Sequence, residues 1–457
     1  MRKQVANSLC SNPNLLPVNV LKQIWNSKDL RKKILFTLGI VAVYRLMTHI
    51  TIPEVNTEAL KYVFDKNSLL GAFSLLTGGS SENFSIVLMG LSPYINASII
   101  VQLLTVIIPR MEEISKEGEQ GRRRMNRWTR WLTLPLAFLQ SYGMIALINV
   151  QAQVPIIEGL DGSLIGWDYW ATMLPIMLTI SAGTLVLMWL GEVISEKGIG
   201  NGTSVLIFAG IIASMPPAIG PALTLAQSEP ERLLPLVAVL LFALLFTLIV
   251  VLFTEGQRRI PVTYAGQRGR GKVEQSFLPI RVNQAGMIPI IFAVSLVTFP
   301  SIVGQFLLYA DSEWVKALGR FATTQFNSQS WTYVAVYFFL VIAFTFFYVS
   351  IVFNPDQVAD NIQKRGGFVP GLRPGKETSE YLAKVSNRLN LFGGAMIGFV
   401  GVLPIVLQLI FSKLSVGSVP TIVSGAGVII IVGVVLDLIR RVNADLLTHH
   451  YERFYKG

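Results

Sequence analysis

Few residues in this 457-residue chain could do chemistry, and their spacing tells against each candidate reaction. The histidines are His49, His449 and His450, and none stands at a metal-ligand spacing from a carboxylate. Cys10 is the single cysteine, so an intramolecular disulfide and a cysteine metal cage are both impossible. Gly198, Ile199, Gly200, Asn201 and Gly202 look at first like a nucleotide fingerprint. They follow a long apolar helix pattern and not a strand, however, which reads as a tight turn between helices. No Gly-x-x-x-x-Gly-Lys-Ser/Thr loop occurs, so work on a nucleotide would have to come from a partner. An ion-coupled relay needs ionisable groups within the apolar spans. Only Arg45 and His49, one turn apart on the first span, and Asp437 near the end of the last are available. The chain reads as a non-enzyme with no catalytic residue, metal or cofactor. An ion-coupled solute carrier is the alternative class.

The elements that would hold any site are apolar. Hydrophobic residues make up 52% of the chain and charged residues 14%, against about 25% charged in soluble domains, which predicts a polytopic membrane protein. A helix needs about 20 residues to cross the hydrocarbon. Ten segments meet that length, near 31–51, 85–108, 128–150, 169–190, 203–222, 232–253, 283–309, 331–353, 389–410 and 419–440. Pro93 falls inside the second, where it is expected to bend or break the helix. Pro216, Pro217, Gly220 and Pro221 are expected to break the chain after five spans, which leaves two halves, 31–222 and 223–440, of inverted topology. Residues 1–30 lack a cleavable apolar signal, and Val20, Leu21, Ile24 and Trp25 repeat at helical spacing among lysines, as in a helix lying in the membrane interface. A frayed tail is the other reading of that stretch. Leu69, Leu70, Gly71, Ala72, Phe73, Ser74, Leu75, Leu76, Thr77, Gly78 and Gly79 form an apolar run too short to span. It is either an external surface loop or a partial helix sheltered in a cavity.

Charge fixes the orientation. Of 38 Lys and Arg, 31 lie in the two tails and in the segments after the second, fourth, sixth and eighth spans; six lie on the other side and Arg45 lies within the first span. Basic loops remain cytoplasmic, so both termini, including the tail 441–457, are expected there. The loops 254–282 and 354–388 are the two long basic ones.

Longer runs carry a resemblance. Gly90 to Thr105 (GLSPYINASIIVQLLT), Glu117 to Arg124, Gly191 to Ser204, Gln257 to Ile260, Ala285 to Pro289, Asn354 to Asn361 and Phe368 to Gly375 occur in order along the chain. They closely resemble the SecY family, the channel subunits of the bacterial Sec translocon. The resemblance implies an all-α membrane fold of ten transmembrane helices in two inverted five-helix halves around a central hourglass pore. It further implies a passive conduit for unfolded preproteins in the bacterial inner membrane. The matching constriction positions are Ile95, Ile99, Ile207, Ile288, Ile291 and Ile430, and Thr203 departs from the aliphatic residue common there. By the same resemblance, 69–79 corresponds to a plug, and spans two and seven to a lateral gate through which signal peptides reach the lipid bilayer. Gln102, Thr105 and Asn283 are polar groups that could bridge that gate or make routine bonds between helices. Arg258 and Arg259 in one loop, and Lys364, Arg365 and Arg373 in the other, match docking positions for the SecA motor and the ribosome, whose rRNA phosphates suit guanidinium forks. Topology alone also explains positive loops. SecE and SecG are the implied small partners.

Overall fold

A computed structural model describes residues 27–53, 55, 60, 83–151, 167–228, 233–264, 276–308, 312–327, 330–413 and 425–456. The stretch from Val20 to Trp25 expected to be an interfacial helix, and the expected plug run 69–79, lie outside these. In chain order the helices are α1 (Lys28–Met47), α2 (Ser92–Ile107), α3 (Pro109–Lys116), α4 (Glu119–Gln151), α5 (Trp167–Lys197), α6 (Gly202–Ser228) and α7 (Leu233–Glu255). Strands β1 (Gln257–Tyr264) and β2 (Ser276–Arg281) follow. Then come α8 (Ile288–Leu307), α9 (Glu313–Gln325), α10 (Trp331–Val352), α11 (Pro355–Lys364), strand β3 (Gly367–Phe368), α12 (Lys376–Lys413) and α13 (Gly425–Lys456). Among the described residues each of the ten apolar segments overlaps a helix, wholly or in part. Among the described residues four helical stretches are long and apolar enough to cross a membrane by themselves, and the bent α2–α3 pair would make a fifth.

Prolines act differently from the expectation at two places. Residues 85–91 form turns tied to the end of the first segment by the Thr51–Ser85 bridge, and α2 begins only at Ser92. Pro93 therefore sits in the first helical turn, where its missing N–H loses no bond, and it starts the helix and does not bend it. The bend comes at the far end. Ile108, pushed out of helical geometry by Pro109, joins α2 to α3 at 109°. At Pro216, Pro217 and Pro221 no break occurs: α6 runs on to Ser228, so the division at 222/223 falls inside a helix. Neighbouring helices at membrane depth can satisfy the carbonyls that a proline frees, which is why such helices tolerate it. Arg45 and His49 do not share a helix face either, because α1 stops at Met47 and His49 lies exposed beyond it.

Three apolar clusters organise the membrane part. One belongs to the N-terminal half and is centred on Met144, Ile145 and Ile148 of α4 with Met173, Ile176 and Ile180 of α5. A second belongs to the C-terminal half, with Ile290 and Val297 of α8, Tyr337 and Val341 of α10, and Ile397 and Val400 of α12. The third draws on both halves, joining Ile40, Leu187, Leu190, Leu206 and Ile207 to Ile430 and Val434. Many large apolar side chains outside these clusters are exposed, among them Leu241, Leu244, Leu248 and Leu252 of α7, a face suited to hydrocarbon.

The turn between α5 and α6 is as tight as its glycines imply. A Cβ on Gly202 would lie 1.8 Å from the Gly191 carbonyl oxygen, and Gly200 has φ +86°. Thr37 Oγ1 of α1 accepts from the Ile199 N–H at 3.2 Å and donates to the Lys33 carbonyl. Lys33 Nζ in turn meets Asp445 Oδ2 at 2.9 Å, so the start of α1 and the end of α13 share one face of the molecule. Arg440 pairs with Glu255 at 2.6 Å on the same rim.

Candidate functional site: a central constriction and a polar crown

The third cluster contains most of the isoleucines singled out from sequence. Ile207 of α6 and Ile430 of α13 are buried in it, and Ile95 of α2 and Ile291 of α8 pack against it half-buried. Four helices, two from each half, thus bring branched aliphatic side chains to one place. Ile99 and Ile288 are half-buried and lie outside the cluster. Thr203 sits at the start of α6, beside the Gly191 crossing. The isoleucine side chains gathered in this cluster are apolar and present no hydrogen-bonding group.

Helices α2 and α8 touch, so the second and seventh segments are neighbours. Their polar groups, however, bond locally. Thr105 Oγ1 donates to the Gln102 carbonyl at 2.6 Å, Gln102 Nε2 donates to Ser98 Oγ at 3.2 Å, and Asn283 Oδ1 accepts from the Gly286 N–H at 2.8 Å. No bond joins these three across the helices among the described residues. Gln102 Oε1 is buried without a partner there, which leaves one acceptor facing the interior.

The basic loops form a single body, which the sequence reading left as two. β1 pairs antiparallel with β2 and, on its other edge, with β3, giving the order β2-β1-β3. Thr263 and Tyr264 of the first loop face Phe368 and Gly367 of the second. A Cβ on Gly367 would come within 2.7 Å of the Tyr264 ring, so glycine permits the pairing. Beneath the sheet Ile260, Val262 and Ile280 bury against Ala359 and Ile362 of α11 and Leu382 of α12. The signal was present in the alternations Ile260-x-Val262 and Leu278-x-Ile280, a strand period amid helical ones, with Ile260 opposite Leu278 in the pairing.

On this crown the five candidate docking cations, Arg258, Arg259, Lys364, Arg365 and Arg373, are all exposed. None is in an ion pair among the described residues. Asn354 caps α11 by accepting from the Asp356 and Gln357 N–H groups, with Pro355 in the first turn, which fixes where Lys364 and Arg365 emerge. The Arg373 backbone is held twice: its N–H donates to Glu377 Oε2 at 3.2 Å, and its carbonyl accepts from Thr378 Oγ1 at 2.8 Å. Gly371 and Gly375, at φ +86° and +99°, turn the chain on either side of it.

The crown also reaches the seventh segment directly, through residues absent from the sequence expectation. β2 ends at Arg281, and the Val282 N–H donates to the Gly256 carbonyl at 2.9 Å. Gln284 Oε1 accepts from Ser386 Oγ of α12 at 3.2 Å, and a Cβ on Gly393 would approach the Val282 carbonyl oxygen to 2.6 Å. Only three-dimensional contact marks these residues, since nothing in their local pattern distinguishes them.

The architecture is that of a helical membrane channel. It matches solved chains described as "The structure of a protein conducting channel", with TM-score 0.64 and 16% identity, covering 91% of this chain and 92% of that one. A structure concerning the plug domain of the SecY protein matches with TM-score 0.62 and 18% identity over 91% and 92%. The SecY family model matches residues 85–439. The protein translocase subunit SecY of Mycobacterium tuberculosis is 40% identical over 443 residues, 94% of this chain and 97% of that protein. That of Corynebacterium glutamicum is 38% identical over 456 residues, 96% and 100%. The chain belongs to the SecY family. It is a protein-conducting channel subunit and not an enzyme.

Proposed function

We propose that this chain forms a passive translocation pore of a bacterial inner membrane, with the constriction built from Ile95, Ile99, Ile207, Ile288, Ile291 and Ile430. The observation that carries this is the cluster shared by the two halves, in which Ile95, Ile207, Ile291 and Ile430 come from four helices. A dewetted apolar collar opposes ions at rest and offers an extended backbone no site at which to bind, so a driven chain slides through it. Residues 69–79 close the external funnel as a plug. Helices α2 and α8, the second and seventh spans, part to let apolar segments enter lipid. Leu, Ile and Phe gain about 0.3 to 0.6 kcal/mol each on that transfer, whereas Asp, Lys or Arg cost about 2.5 to 3.5, so the gate sorts by partition. Gln102, Thr105 and Asn283 tune its polarity from within their own segments.

The five-span halves have inverted topology, both termini are cytoplasmic, and the basic crown docks the SecA motor and the ribosome. The Lys33–Asp445 contact supports termini on one face, and the positive loops support that face being cytoplasmic. SecE and SecG are the small membrane partners.

Crosslinking tests the pore. In a Cys10→Ser background, single cysteines at positions 95, 207, 291 and 430 should react with a preprotein stalled during transport. Labelling of these positions only by lipid-phase reagents would remove the assignment.

A further inference from the structure

Helix α9 lies between the seventh and eighth apolar segments and serves neither the constriction nor the crown. Its 13 residues extend about 20 Å, too short to span. Three faces are distinct. Gly319 is buried, and it meets α8 at close range: a Cβ on Gly304 would lie 3.0 Å from the Gly319 carbonyl oxygen, and one on Gly319 would lie 2.8 Å from that of Gly304. α9 therefore folds back along the last turns of α8. A second face carries Glu313, Lys316 and Arg320, with both cations 3.4 Å from the Glu313 carboxylate. The third carries Trp314, Leu318 and Phe321, spaced four and three apart, which are 71%, 51% and 63% exposed.

Three large apolar side chains in one stripe would be costly facing water. Their position gives them another neighbour. α9 stands beside the end of α8, and the apolar helix α10 opens close by with Trp331, also exposed, at its first residue; aromatic side chains at the ends of apolar helices commonly mark a membrane boundary. An apolar stripe of Trp, Leu and Phe with Lys and Arg on an adjoining face is the composition of a helix lying in the plane of a bilayer interface.

We infer that α9 is an interfacial helix that seats Trp314, Leu318 and Phe321 among the acyl chains of the leaflet reached by the C-terminal end of α8, and so anchors that end to phospholipid. Lys316 and Arg320 sit at headgroup level, where phosphates accept from them. The inference rests on the proposed membrane placement of α8 and α10 but is independent of the pore, gate and docking assignments.

The test uses the full chain in phospholipid nanodiscs, which expose both leaflets. An environment-sensitive fluorophore is attached at Leu318→Cys, Phe321→Cys or Thr324→Cys in the Cys10→Ser background; all three sites are exposed, so labelling leaves the α8 contact intact. Lipids brominated near the headgroup should quench the probes at 318 and 321 several-fold more strongly than the probe at 324, and aqueous iodide should show the reverse order. Iodide quenching at 318 equal to that at 324 would overturn the inference, because the stripe would face water. Protection of 318 and 321 from both quenchers would overturn it as well, since protein would cover the stripe. Because crosslinking through the constriction is read separately, failure of one proposal does not imply failure of the other.

Discussion

The proposed docking of the crown on ribosomal RNA makes a quantitative prediction about salt. Each phosphate neutralised by Lys or Arg releases counterions, so log K falls with log salt at a slope of about −0.7 to −0.9 per contact. Five cations are exposed, but they cannot all meet one surface. Successive strand residues point to opposite faces, and Arg258 shares the face of buried Ile260 and Val262 while Arg259 shares that of exposed Pro261. A single partner therefore engages about four of the five, which gives a slope near −3 and an affinity loss of about 10²-fold between 50 and 200 mM salt. Replacing Lys364 and Arg365 by Gln leaves about two contacts, and the loss over the same range should shrink to about tenfold. These side chains are exposed and outside ion pairs among the described residues, so the fold should be unaffected. Binding of labelled, reconstituted channel to ribosomes, titrated at four or five salt concentrations, measures both slopes. Equal slopes for parent and double variant would refute the reasoning, whatever the absolute affinities.

The remaining predictions concern packing and the seal. Gly202→Ala places a methyl group against the Gly191 carbonyl and should cost about 1 to 3 kcal/mol, read as a lowered Tm in detergent; an unchanged Tm would show that the crossing yields. Ile430→Asn puts an amide into the apolar cluster and should raise resting ion conductance in planar bilayers, and conductance equal to the parent would count against its place in the seal. Tyr337→Phe removes a buried hydroxyl with no partner among the described residues and should leave stability unchanged or raised, where a marked fall would reveal a bond to that oxygen. Deleting 69–79 should likewise increase ion leak, and a tight channel without that run would end its assignment as a plug.

Much of the architecture was legible because it is written in long-range composition. Apolar runs that become helices require no knowledge of contacts. The glycines at 198–202 were legible too, since a turn so tight has few solutions. Prolines misled because their effect depends on position: Pro93 lies in a first turn and Pro216 in a helix that continues past it, and a sequence does not say which carbonyls have other partners. The β1–β3 pairing was hidden by distance, as about a hundred residues separate Tyr264 from Gly367 and each strand alone is short. Gln102, Thr105 and Asn283 were legible as polar residues in apolar surroundings, but not the local bonds that they make.

The join between the two loops has a mechanical consequence. Because β3 is stitched to β1, and β2 leads within a few residues into α8, the crown is a handle joined directly to the root of the helix proposed to be one side of the gate. Whatever grips either loop grips that helix as well. On the proposed reading, a visitor arriving at the crown thus holds, from its first touch, the leaf that it needs to swing.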